Sequence, residues 1–254
     1  MENQDIKFLT PVKEYGIFTG YCEIAHTDHF WVRWRFEVLR RFIKPELFDG
    51  LILDVGCGNG VVRKQLEDSY GIPVSGCDLD LKVLKLVPPG QGEVYFYDIN
   101  QKEGSLKEKY STLLLMDVLE HIAQPVAFLE SARYHLKNDG RLILNVPAWP
   151  HLYSSFDSIQ GHVKRYTPSA LKSELEAAGF KVEKLAYWGL SLLPMFWMRK
   201  LCLNFCPKEK AVAVSFSMPG FVNRILCGIM KTELFFLGGT APWGTSIMAQ
   251  AVRK

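Results

Sequence analysis

The amino-acid sequence predicts an α/β protein: a doubly wound, mostly parallel sheet with helices on both faces. Three observations carry that expectation. From residue 51 to residue 146, short apolar runs of strand length alternate with helical segments. The first run, Leu51-Ile52-Leu53, feeds Asp54-Val55-Gly56-Cys57-Gly58-Asn59-Gly60, where glycine at every second position marks a strand that enters a tight turn and leaves as a helix. The chain has 254 residues, 48% of them hydrophobic, enough for one substantial core, so residues 1–254 are expected to form a single domain.

Each element has its own justification. Over residues 26–43, Phe30, Trp34, Val38 and Phe42 recur at helical spacing with Arg33, Arg40 and Arg41 on other faces, which predicts a leading amphipathic helix ended by Pro45 and Asp49-Gly50. Strand 51–55, helix 60–70, strand 73–77, helix 80–86 and strand 94–97 follow in βαβαβ order. The second half continues with strand 112–116, helix 125–136 and strand 141–146, the last announced by Asn138-Asp139-Gly140. Thr167-Pro168-Ser169 supplies an N-cap with proline at the first helical position, and Gly179 supplies the stop, giving helix 168–178 and then strand 180–187. Residues 188–243 are punctuated by Pro194, Pro207 and Pro219 and read as an insertion or lid of two or three short helices, before a last strand in 244–254.

Composition excludes several classes. Thirty basic against 27 acidic residues leave a net charge of +3, far from the clustered basicity of a nucleic-acid binder. The six cysteines form no C-x-x-C pair and no zinc spacing, so they read as reduced thiols of a cytoplasmic protein. The acidic Met1-Glu2-Asn3-Gln4-Asp5 lacks the character of a signal peptide. The most apolar window, 185–205, is broken by Pro194, Arg199 and Lys200; it predicts no membrane span, while peripheral contact with a membrane stays open. No pattern fixes the oligomeric state.

The glycine turn narrows the cofactor. A dinucleotide fingerprint G-x-G-x-x-G counted from Gly56 and Gly58 requires glycine at position 61, where the chain has Val61. Asp78 ends the second strand, where a doubly wound sheet presents an acid to ribose hydroxyls; taken alone, that spacing equally suits a nicotinamide cofactor. Asp98-Ile99 ends the third strand, and the fourth runs into Leu115-Met116-Asp117-Val118-Leu119-Glu120-His121-Ile122. Asp-x-Gly-x-Gly-x-Gly resembles the first motif of class I S-adenosylmethionine-dependent methyltransferases, and residues 115–122 resemble the fourth motif of the branch that contains ubiquinone-type O-methyltransferases. The resemblance implies a Rossmann-like sheet of seven strands with the last antiparallel, and S-adenosyl-L-methionine as cofactor. It further implies that Asp98 accepts from the adenine amino group while Ile99 and Leu79 flank the purine. The chemistry of that cofactor assigns the rest: Gly56, Gly58 and Gly60 clear space for the amino-acid tail, and Asp54 or Asp117 receives its ammonium group.

The acceptor is less legible. His121, just beyond the fourth strand, and His162 are the candidate catalytic bases. Residues 146–166 form a long loop before a helix, and such loops are more often functional than idle. Gly161-His162-Val163-Lys164-Arg165-Tyr166 resembles the Gly-His-x-Arg-Arg-Tyr loop of a bacterial subgroup of these enzymes, with Lys164 in place of the first arginine. His29-Phe30-Trp31-Val32 and Pro242-Trp243-Gly244-Thr245-Ser246 resemble two further stretches of that subgroup. Trp149, His151, Tyr153, Arg165 and Tyr166 are expected to line the acceptor pocket; the competing expectation is a stabilising network in which Arg165 pairs with Asp157 and Tyr166 packs in the core. No metal is expected, because His151 and His162 lie far apart and His26-Thr27-Asp28-His29 lacks supporting ligands. The expected function is methyl transfer to a small-molecule or lipid-like acceptor by direct displacement, at oxygen. The alternatives are a nicotinamide-dependent oxidoreductase, opposed by Val61 and by the lack of a Tyr-x-x-x-Lys pair, and a noncatalytic cofactor-binding partner. In the insertion, Leu190, Met195, Phe196 and Trp197 read as core cover, or, beside Arg199, Lys200, Lys208 and Lys210, as a surface for an anionic bilayer.

Overall fold

The structure is a computed structural model that describes residues 4–12, 27–42, 50–205 and 220–254, with the side chains of residues 202–205 left aside. Among the described residues, eight strands form one sheet: β1 (Ile6–Phe8), β2 (Ile52–Val55), β3 (Val74–Asp78), β4 (Val94–Phe96), β5 (Tyr110–Met116), β6 (Leu136–Pro147), β7 (Phe180–Trp188) and β8 (Ser246–Arg253). Their order is β1-β4-β3-β2-β5-β6-β8-β7. From β2 the chain winds outward through β3 and β4, then returns to the other side of β2 for β5 and β6. The switch point where a parallel sheet opens a crevice therefore lies between β2 and β5, at their carboxyl ends. β8 inserts antiparallel between β6 and β7, the arrangement expected for the last strand.

The expectation of seven strands is corrected to eight. β1 pairs in parallel with β4, Ile6 opposite Val94 and Phe8 opposite Phe96, and Leu9 N–H continues the ladder to Phe96 O at 3.1 Å. Three half-buried or exposed residues at a sheet edge carry no alternating pattern, so backbone pairing alone defines this strand.

Burial follows the period of two that a two-sided sheet imposes. Ile52, Leu114 and Ile143 point to one face, against α1 (Phe30–Phe42), α2 (Val61–Tyr70) and α8 (Gly220–Leu237). Their neighbours Leu53, Leu113, Leu115, Leu142 and Leu144 point to the other, against α4 (Pro125–His135) and α6 (Pro168–Ala177). Two helices differ from expectation. The segment predicted over 80–86 is one turn, α3 (Leu81–Leu84), nucleated by Asp80, whose Oδ1 accepts from Lys82 N at 2.7 Å. The insertion contains α7 (Leu193–Phe205) and α8, and α8 is eighteen residues long rather than short. Its inner residues Leu226, Met230 and Leu234 pack on the core, and Asn223 Oδ1 accepts from Phe30 N at 2.7 Å, so the insertion and the leading helix cover the same face. Residues 26, 43–49 and 206–219 lie outside the described residues, as do Cys22, Cys206, Lys208 and Lys210. Cys57 and Cys77 are free thiols that burial pushes well up from the usual range.

Candidate active site

The turn after β2 needs its glycines. Gly56, Gly58 and Gly60 have φ of 70°, 55° and 75°, the left-handed region that side chains with a Cβ resist. A Cβ on Gly56 would stand 2.7 Å from Val118 Cγ2, and one on Gly60 2.9 Å from Val87 Cγ1. The turn is tied to β3, because Gly56 N and Cys57 N both donate to Cys77 O, at 2.8 and 3.0 Å. It then opens α2 with no side-chain cap at its start.

Asp78, at the end of β3, is set by three backbone donors: Gly58 N at 2.8 Å, Leu79 N at 2.7 Å and Asp80 N at 2.9 Å. Burial raises its pKa, and those hydrogen bonds hold the rise back. Asp54 is 1% exposed and its Oδ2 has no hydrogen-bond partner among the described residues. Burial pushes its carboxyl up to about 7, with the Arg35 charge opposing and the Asp78 charge adding to the rise. An orphaned acceptor at the switch point, beside a turn of left-handed glycines, fits a cationic, polar tail.

Asp117 is already engaged. It has φ of 64°, and its N–H donates to Asn145 O at 3.0 Å. Its Oδ2 accepts from Arg35 Nη1 at 2.5 Å, and its Oδ1 accepts from Asn145 Nδ2. Asn145 Oδ1 in turn accepts from Trp188 Nε1 at 2.8 Å. Arg35 from the leading helix, Asn145 of β6 and Trp188 of β7 thus fix the strand-end acid; only Arg35 lay near a motif in the sequence. Asp98 uses Oδ1 to accept from Asn100 N and Asn100 Nδ2, both at 3.0 Å, and caps the turn Ile99–Gln101. Leu79 and Asp98 are half-buried, whereas Ile99 is packed into the core with Tyr97 and Leu106.

On the other side of the crevice, the turn Leu119–His121 places His121 one step beyond Asp117. The His121 and His162 rings meet edge to face, with centroids 4.8 Å apart. His121 opens to solvent on one side. Desolvation on the other, then the neighbouring His162, lower its pKa. His162 Nδ1 lies 3.0 Å from Asp157 Oδ1. Asp157 is fully buried and also accepts from Arg165 Nε at 2.8 Å, Ser154 N at 2.9 Å and Ser154 Oγ at 3.1 Å, which starts α5 (Ser155–Ile159). Burial alone would raise the Asp157 carboxyl; the His162 hydrogen bond and the Arg165 charge outweigh it and bring it down to about 2.

The expected acceptor residues divide. Arg165 and Tyr166 are 6% and 1% exposed. Arg165 also donates from Nη1 to Ala148 O at 3.1 Å, and Tyr166 OH donates to Leu119 O at 3.3 Å, so both build the loop, as the competing expectation held. Trp149, with φ of 65°, stacks on Tyr187 at 5.1 Å and donates from Nε1 to Gly244 O at 3.0 Å. His151 is exposed between Trp149 and Trp197, at 5.3 and 5.9 Å. Tyr153 OH donates to His162 O at 2.7 Å. The fold also collects a group that sequence spacing hid: potential ligand atoms of Glu120, His121 and His162 lie within 4.8 Å of one another, and Glu120 Oε2 is buried without a hydrogen-bond partner among the described residues.

Comparison with known proteins agrees with this fold. Residues 31–185 match the family described as a methyltransferase domain. The ubiquinone biosynthesis O-methyltransferase of Histophilus somni is 33% identical over 104 residues, 37% of this chain and 43% of that protein. The protein of the same name from Cereibacter sphaeroides is 33% identical over 113 residues, 42% of this chain and 45% of its own length. The alignments thus span less than half the length of these curated relatives. Among solved structures, a SAM dependent methyltransferase from Archaeoglobus fulgidus superposes with a TM-score of 0.52 at 21% identity, covering 85% of this chain and 91% of that one. A phosphoethanolamine N-methyltransferase from Haemonchus contortus, in complex with phosphomonomethylethanolamine and S-adenosylhomocysteine, gives 0.58 at 16% identity over 92% and 56%. The motifs, the switch-point crevice and these matches converge: the chain belongs to the methyltransferase domain family, on the class I, Rossmann-like fold of S-adenosylmethionine-dependent enzymes and related to ubiquinone O-methyltransferases.

Proposed function

We propose that the protein methylates a small-molecule acceptor at oxygen, using S-adenosyl-L-methionine. The observation that carries the reading is the array Asp157–His162–His121, set at the strand ends beside the glycine turn. When bound, the cofactor supplies a methyl group on a sulfonium sulfur. Gly56, Gly58 and Gly60 let the backbone approach its tail, Asp54 receives the ammonium group, and Asp78 accepts from the ribose hydroxyls. Asp98 and Leu79 border the adenine, with Ile99 behind them. Asp117 acts through position: held by Arg35 and Asn145, it fixes the turn that carries His121.

Direct displacement needs the acceptor oxygen in line with the departing sulfur, in a pocket that excludes water. His121, kept neutral, removes the acceptor's proton; His162, oriented by Asp157, packs edge to face on the His121 ring and holds it in place. Trp149, His151 and Tyr153 line the acceptor side. The printed name of the curated relatives, an O-methyltransferase, supports oxygen as the receiving atom. No described helix is long and apolar enough to cross a membrane. A lipid-like acceptor is supported by α8, whose outward residues Phe221, Ile225, Ile229, Phe235 and Phe236 form an exposed apolar stripe edged by Arg224 and Lys231. That stripe supports peripheral contact with an anionic membrane from the cytoplasmic side as part of the proposal.

Turnover with a panel of hydroxylated acceptors tests the reading. His121→Asn is expected to lower kcat by about 10²–10⁴-fold. Metal-free turnover is expected to survive a chelator. Loss of activity restored by a defined divalent ion would instead put that ion at Glu120, His121 and His162.

A further inference from the structure

One half-buried cation makes no ion pair or hydrogen bond with the described residues. Arg199 of α7 reaches into the acceptor loop, where its guanidinium carbon lies 4.0 Å from the Phe156 ring centroid and 4.4 Å from that of Phe196. Its Nε is buried and has no hydrogen-bond acceptor among the described residues. The nearby carboxylate, Asp157, is already taken by Arg165, His162 and Ser154. Arg165, which pairs with Asp157, lies 5.9 Å from the same Phe196 ring, so two guanidinium groups flank one ring and only Arg165 has the carboxylate. Burial first, and then the Arg165 charge, bring Arg199 down to about 10, the direction expected where positive charge is in excess.

Removing the Nε–H from water without an acceptor is costly, and aromatic faces offset only part of that cost. Two rings do fix the plane of the guanidinium, and a planar fork held in one plane matches two oxygens of a carboxylate or phosphate. The setting is the acceptor side of the site. Phe156 belongs to α5, one residue from Asp157, and the adjacent Lys200 donates from Nζ to His151 O. We infer that Arg199 recognises an oxyanion on the methyl acceptor, a carboxylate or a phosphate, and so selects anionic over neutral acceptors. The inference rests on the reading that residues 149–166 face the acceptor.

The test is calorimetric titration of the full chain loaded with S-adenosylhomocysteine. The probes are 4-hydroxybenzoate, its methyl ester and inorganic phosphate, and the proteins are wild type, Arg199→Lys and Arg199→Met. Wild type is expected to bind at least one of the two anions more tightly than the ester, and the better anion tells carboxylate from phosphate. Arg199→Met is expected to lose about tenfold or more in anion affinity, and Arg199→Lys, which keeps the charge without the fork, to fall between. If Arg199→Met fails to fold, the lysine variant carries the comparison. An ester that binds wild type as well as the anions do, anions that bind the variants as well as wild type, or no anion binding at all overturns the inference. Intact S-adenosylhomocysteine binding with such a result removes only Arg199's role; absent S-adenosylhomocysteine binding removes the methyltransferase reading itself.

Discussion

The two sides of the crevice are built differently. On the cofactor side, Asp78 is set by backbone N–H groups of a turn and of the two residues that follow it. On the proposed acceptor side, Asp157 is set largely by side chains, His162 and Arg165, gathered by a loop and one short helix. Backbone donors cannot be removed by substitution, whereas a side-chain hub fails when its centre is lost. The cofactor side is therefore expected to yield to changes in backbone conformation, and the acceptor side to single polar substitutions.

The largest effect is expected at the hub. Asp157→Ala leaves Arg165 buried without its carboxylate and should destabilise the protein by about 3–5 kcal/mol in denaturant unfolding. Its pH dependence has a defined sign. A folded pKa of about 2, below the ordinary 3.8, gives stability that is present above pH 4 and lost as pH falls toward 2. Asp157→Asn should flatten that acid limb; an unchanged limb would show that Asp157 is not the group responsible. Next comes Gly56→Ala, where a Cβ meets Val118 and φ is 70°; a loss of about 1–3 kcal/mol is expected, read as a lowered Tm. A variant as stable as wild type would show that the turn relaxes without glycine.

The effect at Asp54 has the opposite sign. Asp54, raised from 3.8 to about 7, binds its proton more tightly folded than unfolded, so its contribution to stability falls as pH rises from 4 to 7. Asp54→Asn is expected to remove that slope and to stabilise the ligand-free protein at pH 8, while weakening S-adenosylhomocysteine binding. A variant that is less stable than wild type at pH 8 would deny that Asp54 is a buried carboxylate held ready for a cation.

The same contrast explains what the sequence made legible. The cofactor side is local: the glycines of residues 56–60 announce their own positive φ, and the acids at strand ends fall where alternation of strands and helices puts them. The acceptor side depends on pairings between distant residues. Asp117, His121 and His162 sit in motifs, but the pairings of Arg35 with Asp117, Asn145 with Trp188, and His121 with His162 have no signature, because side chains brought together from distant segments share no spacing. The loop's crowd of polar residues marked the place; which of them face inward was decided by Asp157, whose burial turned Arg165 and Tyr166 into scaffold. In α8 the apolar residues run around both faces, so periodicity marked neither the length of the helix nor its outward stripe.

The central claim is that the strand-end acids hold the methyl donor while the histidines serve the acceptor. Calorimetric titration of S-adenosylhomocysteine into wild type, Asp78→Ala and His121→Asn tests it directly. Loss of charge-assisted hydrogen bonds predicts affinity about tenfold or more weaker for Asp78→Ala, with His121→Asn close to wild type. Equal affinity in wild type and Asp78→Ala, or a loss confined to His121→Asn, would contradict the account.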